Sequence, residues 1–300
     1  MRRLISSKNV TSRYIENLFK KADMFKKTPY MDKWKNKVLV NASFEANTQA
    51  SLSFESAMYK LGGHVINYNG DASDATKSGS TQDTIKALSN YGDIITLQHQ
   101  DEEICRYANH NTNIPIINYG DGNGDNPIQG LTDLYTIYSN LEMNTKYVKI
   151  LFVGDVKQSP SINSLLHLLK NFIRIKINFL PYEGKEPHYS VLSHVSYMNE
   201  QIIEDIIVEK YNVYFGDYDV IYCAPMQSDL NSHLRMPEFI VNQELLTHAK
   251  DAIIMHPFPR NSELSTDLDE DKRSHYFEQL QNGIYIRMAL IDNMLEGETI

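Results

Sequence analysis

The sequence predicts an α/β protein of two domains, each a parallel sheet flanked by helices. Three observations carry that expectation. Short Val- and Ile-rich runs alternate with amphipathic runs along most of the chain, the pattern of βαβ units. The alternation ends once and then restarts. The chain has 300 residues, a length that suits two domains of roughly 150 residues each.

In the first series, strands are expected at 37–41 (KVLVN), 64–68 (HVINY), 93–97 (DIITL) and 114–118 (IPIIN). Each is short, β-branched and bounded by polar or glycine residues. Helices are expected between them at 50–61, 81–90 and 102–109. After the restart, strands are expected at 147–155, 174–181, 213–215, 219–225 and 251–257, with helices at 161–170, 202–210 and 242–248. An amphipathic stretch at 131–141 joins the two series, so the domains should meet near 131–146. Helical patterns at 12–25 and 283–295 flank the pair, and no repeat or low-complexity segment is visible.

Composition narrows the function. Lys plus Arg number 29 against 38 Asp plus Glu, a net charge of −9 at pH 7. Phosphate-backbone binding runs on excess cations, so a nucleic-acid partner is not expected. The apolar fraction of 42% with 22% charged residues excludes a disordered chain. Cys105 and Cys223 are too few for a disulfide framework or a cysteine zinc site, and fit a reducing compartment as buried thiols. The start, MRRLISSKNV, lacks the apolar core of a signal peptide, and no run is long enough to span a membrane. A cytoplasmic protein with no membrane partner is expected.

Two local motifs invite chemistry. Gly120–Asp125 (GDGNGD) places Asp121, Asn123 and Asp125 at calcium-loop spacing, but Asn126 stands at the glycine position and Thr132 at the position of the bidentate Glu. The third glycine of a dinucleotide fingerprint is also absent, so the segment reads as a tight turn entering a helix. No His-Glu-x-x-His or Walker loop occurs, and neither metal nor cofactor is expected. In 44–55 (FEANTQASLSFE) a strand gives way to a helix capped by Asn47 or Thr48, whose N–H groups form a generic anion site.

The chain resembles the aspartate carbamoyltransferases, and its landmarks fall in family order over nearly the whole length. They are Phe44-Glu45-Ala46, Leu52-Ser53-Phe54-Glu55, Lys77 with Asp83-Thr84, and Asn118 with Gly120-Asp121-Gly122. Pro127-x-Gln129 and Asp133-Leu134-Tyr135-Thr136 follow, then Val153-Gly154-Asp155-Val156-Lys157 and His256-Pro257-Phe258-Pro259-Arg260. Tyr276-Phe277 and Asn282-Gly283 with Arg287 and Ala289-Leu290 close the series. The resemblance implies a carbamoyl-phosphate domain at 1–133, with the helix of 284–300 packing back on it, and an aspartate domain at 134–283. It also implies a trimer with sites between subunits and a link to pyrimidine biosynthesis.

That chemistry needs cations, and arginine suits it because its fork binds phosphate and carboxylate bidentately. Only nine arginines occur, none between Arg13 and Arg106. The family's Ser-Thr-Arg-Thr-Arg reads Asn47-Thr48-Gln49-Ala50-Ser51, its Arg-His reads Gln98-His99, and its His-Pro-x-Gln reads Asn126-Pro127-Ile128-Gln129. The two aspartate-binding arginines fall at Pro160 and Pro225. Positions retained from the family site are Thr48, Ser73, Lys77, Gln129, Gln227 and Phe258. Losing two charge-assisted bonds of about 1.5–3 kcal/mol per substrate would weaken each roughly 10²- to 10⁴-fold.

The expectation is therefore a catalytically silent homologue acting as an oligomer partner. It would associate with itself, with an active transcarbamylase or with another pyrimidine-pathway protein. One alternative is a divergent transcarbamylase with repositioned cations, for which Lys157 and Arg260 are candidates. The other is a cleft repurposed for a neutral ligand, supported by the uncharged Gln49, Gln98, Asn126, Gln129 and Gln227.

Overall fold

The computed structural model describes residues 3–45, 48–70, 81–122, 124–141, 148–157, 159–171, 175–188, 192, 203–208, 213–226, 239–249 and 251–298. The chain divides into two compact units, Met1–Thr132 with Gln281–Ile300, and Asp133–Leu280. Each is α/β and built on a five-stranded sheet in which every pairing is parallel.

The first unit begins with the two-residue strand β1 (Arg3–Leu4), too short to register in a periodicity scan, and helix α1 (Ser12–Lys27). Thr11 caps α1 by accepting from the Tyr14 N–H, and Tyr14, Ile15, Leu18, Phe19, Ala22 and Phe25 form its buried face. Then follow β2 (Val38–Ser43), α2 (Thr48–Lys60), β3 (His64–Asn69), α3 (Thr81–Leu88), β4 (Ile94–His99), α4 (Glu102–Asn111), β5 (Ile116–Asp121) and α5 (Pro127–Asn140). The sheet order is β1-β5-β4-β2-β3. Val40, Ala42, Ile95, Leu97 and Ile116 build its core, while the edge strand β3 turns His64, Ile66, Asn67 and Asn69 to solvent.

The second unit contains β6 (Val148–Gly154), α6 (Pro160–Leu169), β7 (Ile175–Pro181), β8 (Ile203–Val208), β9 (Val220–Ala224) and β10 (Ile253–Met255), in the order β10-β9-β6-β7-β8. The last helix, α7 (Tyr276–Glu296), carries the chain from the second unit back into the first.

Three expected elements are corrected. The helix expected at 202–210 is strand β8, paired with β7 through Ile177↔Ile206 and Phe179↔Val208. Its apolar spacing suits a helix, but its Ile and Val side chains suit a sheet edge, and tertiary pairing decides. The strand expected at 213–215 is a short extended piece entering a 3-10 turn at Phe215–Asp217. The helix expected at 242–248 is a chain of turns. It has one helical bond, Leu246 N–H to Asn242 O at 3.1 Å, before tighter bonds take over. A segment this short does not recover the cost of helix nucleation.

Within the first unit, α7 is fastened to α1 and the segment after it. Lys21 and Lys33 place their Nζ atoms 2.8 and 2.7 Å from the Asp292 carboxylate, and Trp34 Nε1 donates to it at 2.8 Å. The Asp292 side chain is 1% exposed, so the three donors converge on a buried charge. Asp292→Ala should destabilise the protein by about 2–4 kcal/mol, because two ammoniums and an indole N–H lose a shared partner. A lowered urea midpoint with an unchanged slope checks this.

Candidate functional site

A parallel sheet opens a crevice at the carboxyl ends of its strands where the order reverses, and ligands of open α/β sheets bind there. In the first unit the chain passes from β2 to β3 on one side and then to β4 on the other. The reversal lies between β2 and β4, at Ser43-Phe44-Glu45 and Gln98-His99. In the second unit it lies between β6 and β9, at Gly154-Asp155 and Ala224-Pro225.

At the β2/β4 crevice, Gln98 is 6% exposed and its Nε2 donates to Glu45 Oε2 at 3.1 Å. Ser43 Oγ donates to the Glu45 carbonyl at 2.5 Å and lies 3.3 Å from Gln98 Oε1. Burial pushes the Glu45 carboxyl above its ordinary range, and the Gln98 bond opposes that only in part. His99 packs edge-on to Phe44, with ring centroids 5.1 Å apart. Its Nδ1 accepts the Asp101 N–H, and burial lowers its proton affinity.

Beside this crevice, β5 ends in the Gly120–Asp125 loop. Gly122 sits at φ 67, and a Cβ there would lie 2.2 Å from Gln100 O, so only glycine fits. Asp121 accepts the Asp125 N–H and an N–H of the Asn118 amide. Burial, with the Asp125 and Glu102 charges, raises its carboxyl to about 6. Asp125 in turn accepts from Ser6 Oγ, Ser7 N and Ser7 Oγ at 2.7–2.9 Å. Asn123 lies outside the described residues, and Asp121 and Asp125 are used as acceptors within the fold.

The predicted site residues separate into groups. Asn126 caps α5, its Oδ1 accepting the Gln129 N–H at 3.1 Å, so those two positions lie together. Thr48 is the first residue of α2, Gln49 is exposed and Ala50 half-buried. Asn47, Ser73, Lys77 and Gln227 lie outside the described residues. Pro160 opens α6 behind the Ser159 cap, a position where its missing N–H costs nothing. Pro225 follows β9 directly, half-buried.

In the second unit a chain of buried bonds underlies the Phe258 loop. Tyr222 OH and Gln279 Nε2 donate to the two oxygens of Asp133, and Gln279 Oε1 accepts the His256 N–H. The Phe258 N–H donates to His256 Nδ1 at 3.0 Å, which leaves Nε2 protonated to donate to Glu263 Oε1 at 2.9 Å. Burial would raise the Glu263 carboxyl, but this bond and backbone N–H groups hold it below its ordinary value. Phe258 itself sits at φ 49, with its ring against His256, Tyr276 and Phe277. A non-glycine residue in that region persists only when its surroundings hold it.

The two candidates for a repositioned cation differ in how they are held. Arg260 makes a two-pronged pair with Asp269 at 2.5 and 2.7 Å. Lys157 is exposed, with its Nζ 3.4 Å from the Gly184 carbonyl. Beside β6, Lys185 Nζ lies 2.8 Å from Asp155.

Two participants carried no role in the sequence reading. Glu45 was legible only as part of a landmark, although its place at the end of β2 follows from the switch-point rule. Arg287 is 7% exposed, lies 4.9 Å over the Phe54 ring and donates to the Gly283 carbonyl, while its Nε has no hydrogen-bond partner among the described residues. Burial lowers its proton affinity to about 10. A Cβ at Gly283 would stand 2.8 Å from its Nη1. Cys105 and Cys223 are buried free thiols, as expected. Among the described residues, no group of three His, Cys, Asp or Glu side chains could hold a metal, and no helix is long and apolar enough to cross a membrane.

Two doubly wound, all-parallel units, each with a crevice at its switch point, define an α/β protein of the kind that takes small polar ligands at strand ends. The profile described as the aspartate/ornithine carbamoyltransferase carbamoyl-P binding domain matches residues 2–139, and that of the Asp/Orn binding domain matches 146–294. The chain belongs to the aspartate/ornithine carbamoyltransferase family. It is 34% identical to the aspartate carbamoyltransferase catalytic subunit of Clostridium novyi, over 99% of each chain. With that of Aliivibrio fischeri it shares 33% identity over 99% of this chain and 97% of the other. The catalytic subunit of M. jannaschii aspartate transcarbamoylase superposes with a TM-score of 0.88 at 30% identity, covering 99% of this chain and 98% of that one. The Trypanosoma cruzi enzyme, crystallised with carbamoyl aspartate and phosphate, gives 0.87 at 26% identity, covering 97% and 95%.

Asp121 makes stability depend on pH. Its carboxyl binds a proton more tightly when folded, near 6, than at its ordinary value of 3.8. The stabilisation is therefore full below pH 3.8 and lost as pH rises through about 6. Asp121→Asn should gain about 2 kcal/mol on the wild type between pH 4.5 and pH 8, allowing for solvent screening. Paired urea titrations at the two pH values measure it.

Proposed function

We propose that this chain is a catalytically silent member of its family, working in the cytoplasm as an oligomer partner linked to pyrimidine biosynthesis. One observation carries the reading. At the β2/β4 crevice the position of the family's substrate-contacting arginine is held by the neutral Gln98, whose amide donates to Glu45, an acid that the family landmark retains. Among the described residues, none of Ser43, Glu45 and Gln98 bonds to a lysine or arginine. A phosphate dianion entering there would meet a neutral amide where transfer chemistry calls for a guanidinium. Pro160 and Pro225 add no donor in the second unit, and Arg260 and Lys185 are taken by Asp269 and Asp155.

Self-association is supported from two sides. Its relatives are described as catalytic subunits. The first unit also leaves Leu52, Tyr59 and Ile66 exposed on α2 and β3 at 58%, 55% and 43%, more apolar surface than a solvated face requires. A trimer with sites between subunits, or a mixed assembly with an active transcarbamylase, is the form this takes. Of the cations the divergent-enzyme reading calls on, Arg260 is paired with Asp269.

Incubation with carbamoyl phosphate and aspartate should yield no carbamoyl aspartate above a buffer blank. Sedimentation of the same sample should give an assembly larger than one chain. Turnover above the blank overturns the silent reading, and a monomer at micromolar concentration overturns the oligomer.

A further inference from the structure

The N-terminal segment is fastened to β5 and to the loop that follows it. Strand β1 pairs with the edge of β5 through Arg3↔Ile116 and Leu4↔Ile117. Arg3 also donates to Asn109 Oδ1 and the Thr112 carbonyl, at 3.1 and 2.6 Å. Further ties reach the loop by two routes. Asn118 Nδ2 donates to the Ile5 carbonyl at 2.8 Å and to Asp121 Oδ2 at 3.1 Å. Asp125 accepts from Ser6 Oγ, Ser7 N and Ser7 Oγ, and its own N–H donates to Asp121 Oδ1. Both routes end on one carboxyl group, one oxygen to each.

Like charge crowds that group. Asp121 is 7% exposed. A Cβ on Gly124 would lie 2.5 Å from Asp121 Oδ1 and 2.9 Å from Glu102 Oε1, so two acids press on the same glycine. Opposite Asp121 on β4 stands His99, whose proton affinity burial lowers, and Asp101 beyond it is a further acid. On α4, burial pushes the Cys105 thiol up, and Arg106 Nη2 lies 3.9 Å from Glu102 where both side chains face water. From the segment itself, Arg3 turns to Asn109 and Thr112, and Lys8 is exposed. An ionised Asp121 is therefore costly: burial, with the Asp125 and Glu102 charges, raises its carboxyl to about 6.

We propose that residues 3–10 are a pH-sensitive strap, closed over the end of β5 in mildly acid solution and opening locally as Asp121 ionises. Opening draws Ser6 and Ser7 off Asp125 and Ile5 off Asn118, lets water reach Asp121, and bares the edge of β5. The closed strap binds the Asp121 proton more tightly than the open one. Closure is therefore favoured fully below the ordinary value of 3.8 and weakens as pH rises through about 6. A two-residue strand near a chain end is a place where local opening precedes global unfolding.

The test is hydrogen exchange of the full chain at pH 5 and pH 8, corrected for the intrinsic pH dependence of exchange. Peptides over residues 3–10 report the strap, and peptides over β2 report the core. The strap should be less protected than β2 at both values. Its protection should fall about three- to tenfold on going to pH 8, the lower end allowing for solvent screening. Asp121→Asn, which keeps an acceptor and removes the titration, should flatten that fall. Glu102→Gln, a change at an exposed side chain, should shrink it, and it decides the matter should Asp121→Asn fail to fold. Equal protection of the strap and β2 overturns the proposal, and so does a strap that ignores pH. A fall that Asp121→Asn leaves intact overturns it as well, or one that Glu102→Gln leaves intact where that variant alone folds. None of these outcomes bears on the silent reading, which the carbamoyl aspartate assay tests by itself.

Discussion

Parallel pairing is the constraint from which the rest of this molecule follows. Every strand pairing described is parallel, so each connection must cross the sheet, and helices such as α2, α4 and α6 are those crossings. The crossings leave the carboxyl ends of the strands to loops, and where the strand order reverses the loops part. Ser43, Glu45 and Gln98 stand together because β2 and β4 are neighbours in the sheet with β3 inserted between them in the sequence. Asp155 and Pro225 come together at β6 and β9 in the same way. The sheet thus chooses the place, and the side chains choose what the place can hold.

Among the described residues, several cations serve structure. Arg260 is locked to Asp269, Arg273 to Asp271 and Lys185 to Asp155. Lys21 and Lys33 share Asp292, and Arg287 lies sealed against Phe54. Asp269 and Asp271 are held near 2 by their arginines, which marks these pairs as settled ones. A guanidinium paired with a carboxylate two to nine residues away organises its loop. The low arginine count matters less than this allocation.

The fold was legible where periodicity and chain geometry agree. Buried Val and Ile runs pack well in a covered parallel sheet, and the strands expected at 37–41 and 93–97 overlap those at 38–43 and 94–99. At 202–210 the spacing of Ile202, Ile203, Ile206 and Ile207 satisfies a helix, and only the partner strand β7 decides otherwise. Strand β1 escaped because two residues carry no period. In the candidate site, the losses at Gln49, Gln98, Pro160 and Pro225 could be read residue by residue. That Gln98 turns its amide onto Glu45 could not, because the two are 53 residues apart and meet only through the β2–β4 register.

That contact bears on how such a site changes. Replacing arginine by glutamine keeps a planar donor group at the end of a buried stem and removes the charge. The glutamine can therefore still hold Glu45, as the 3.1 Å bond shows, without bringing a charge to it. The place itself is fixed by the β2–β4 register, and Gln98 is fixed there by its burial. A substitution at such a strand end changes which groups a ligand would meet and leaves the strands where they are.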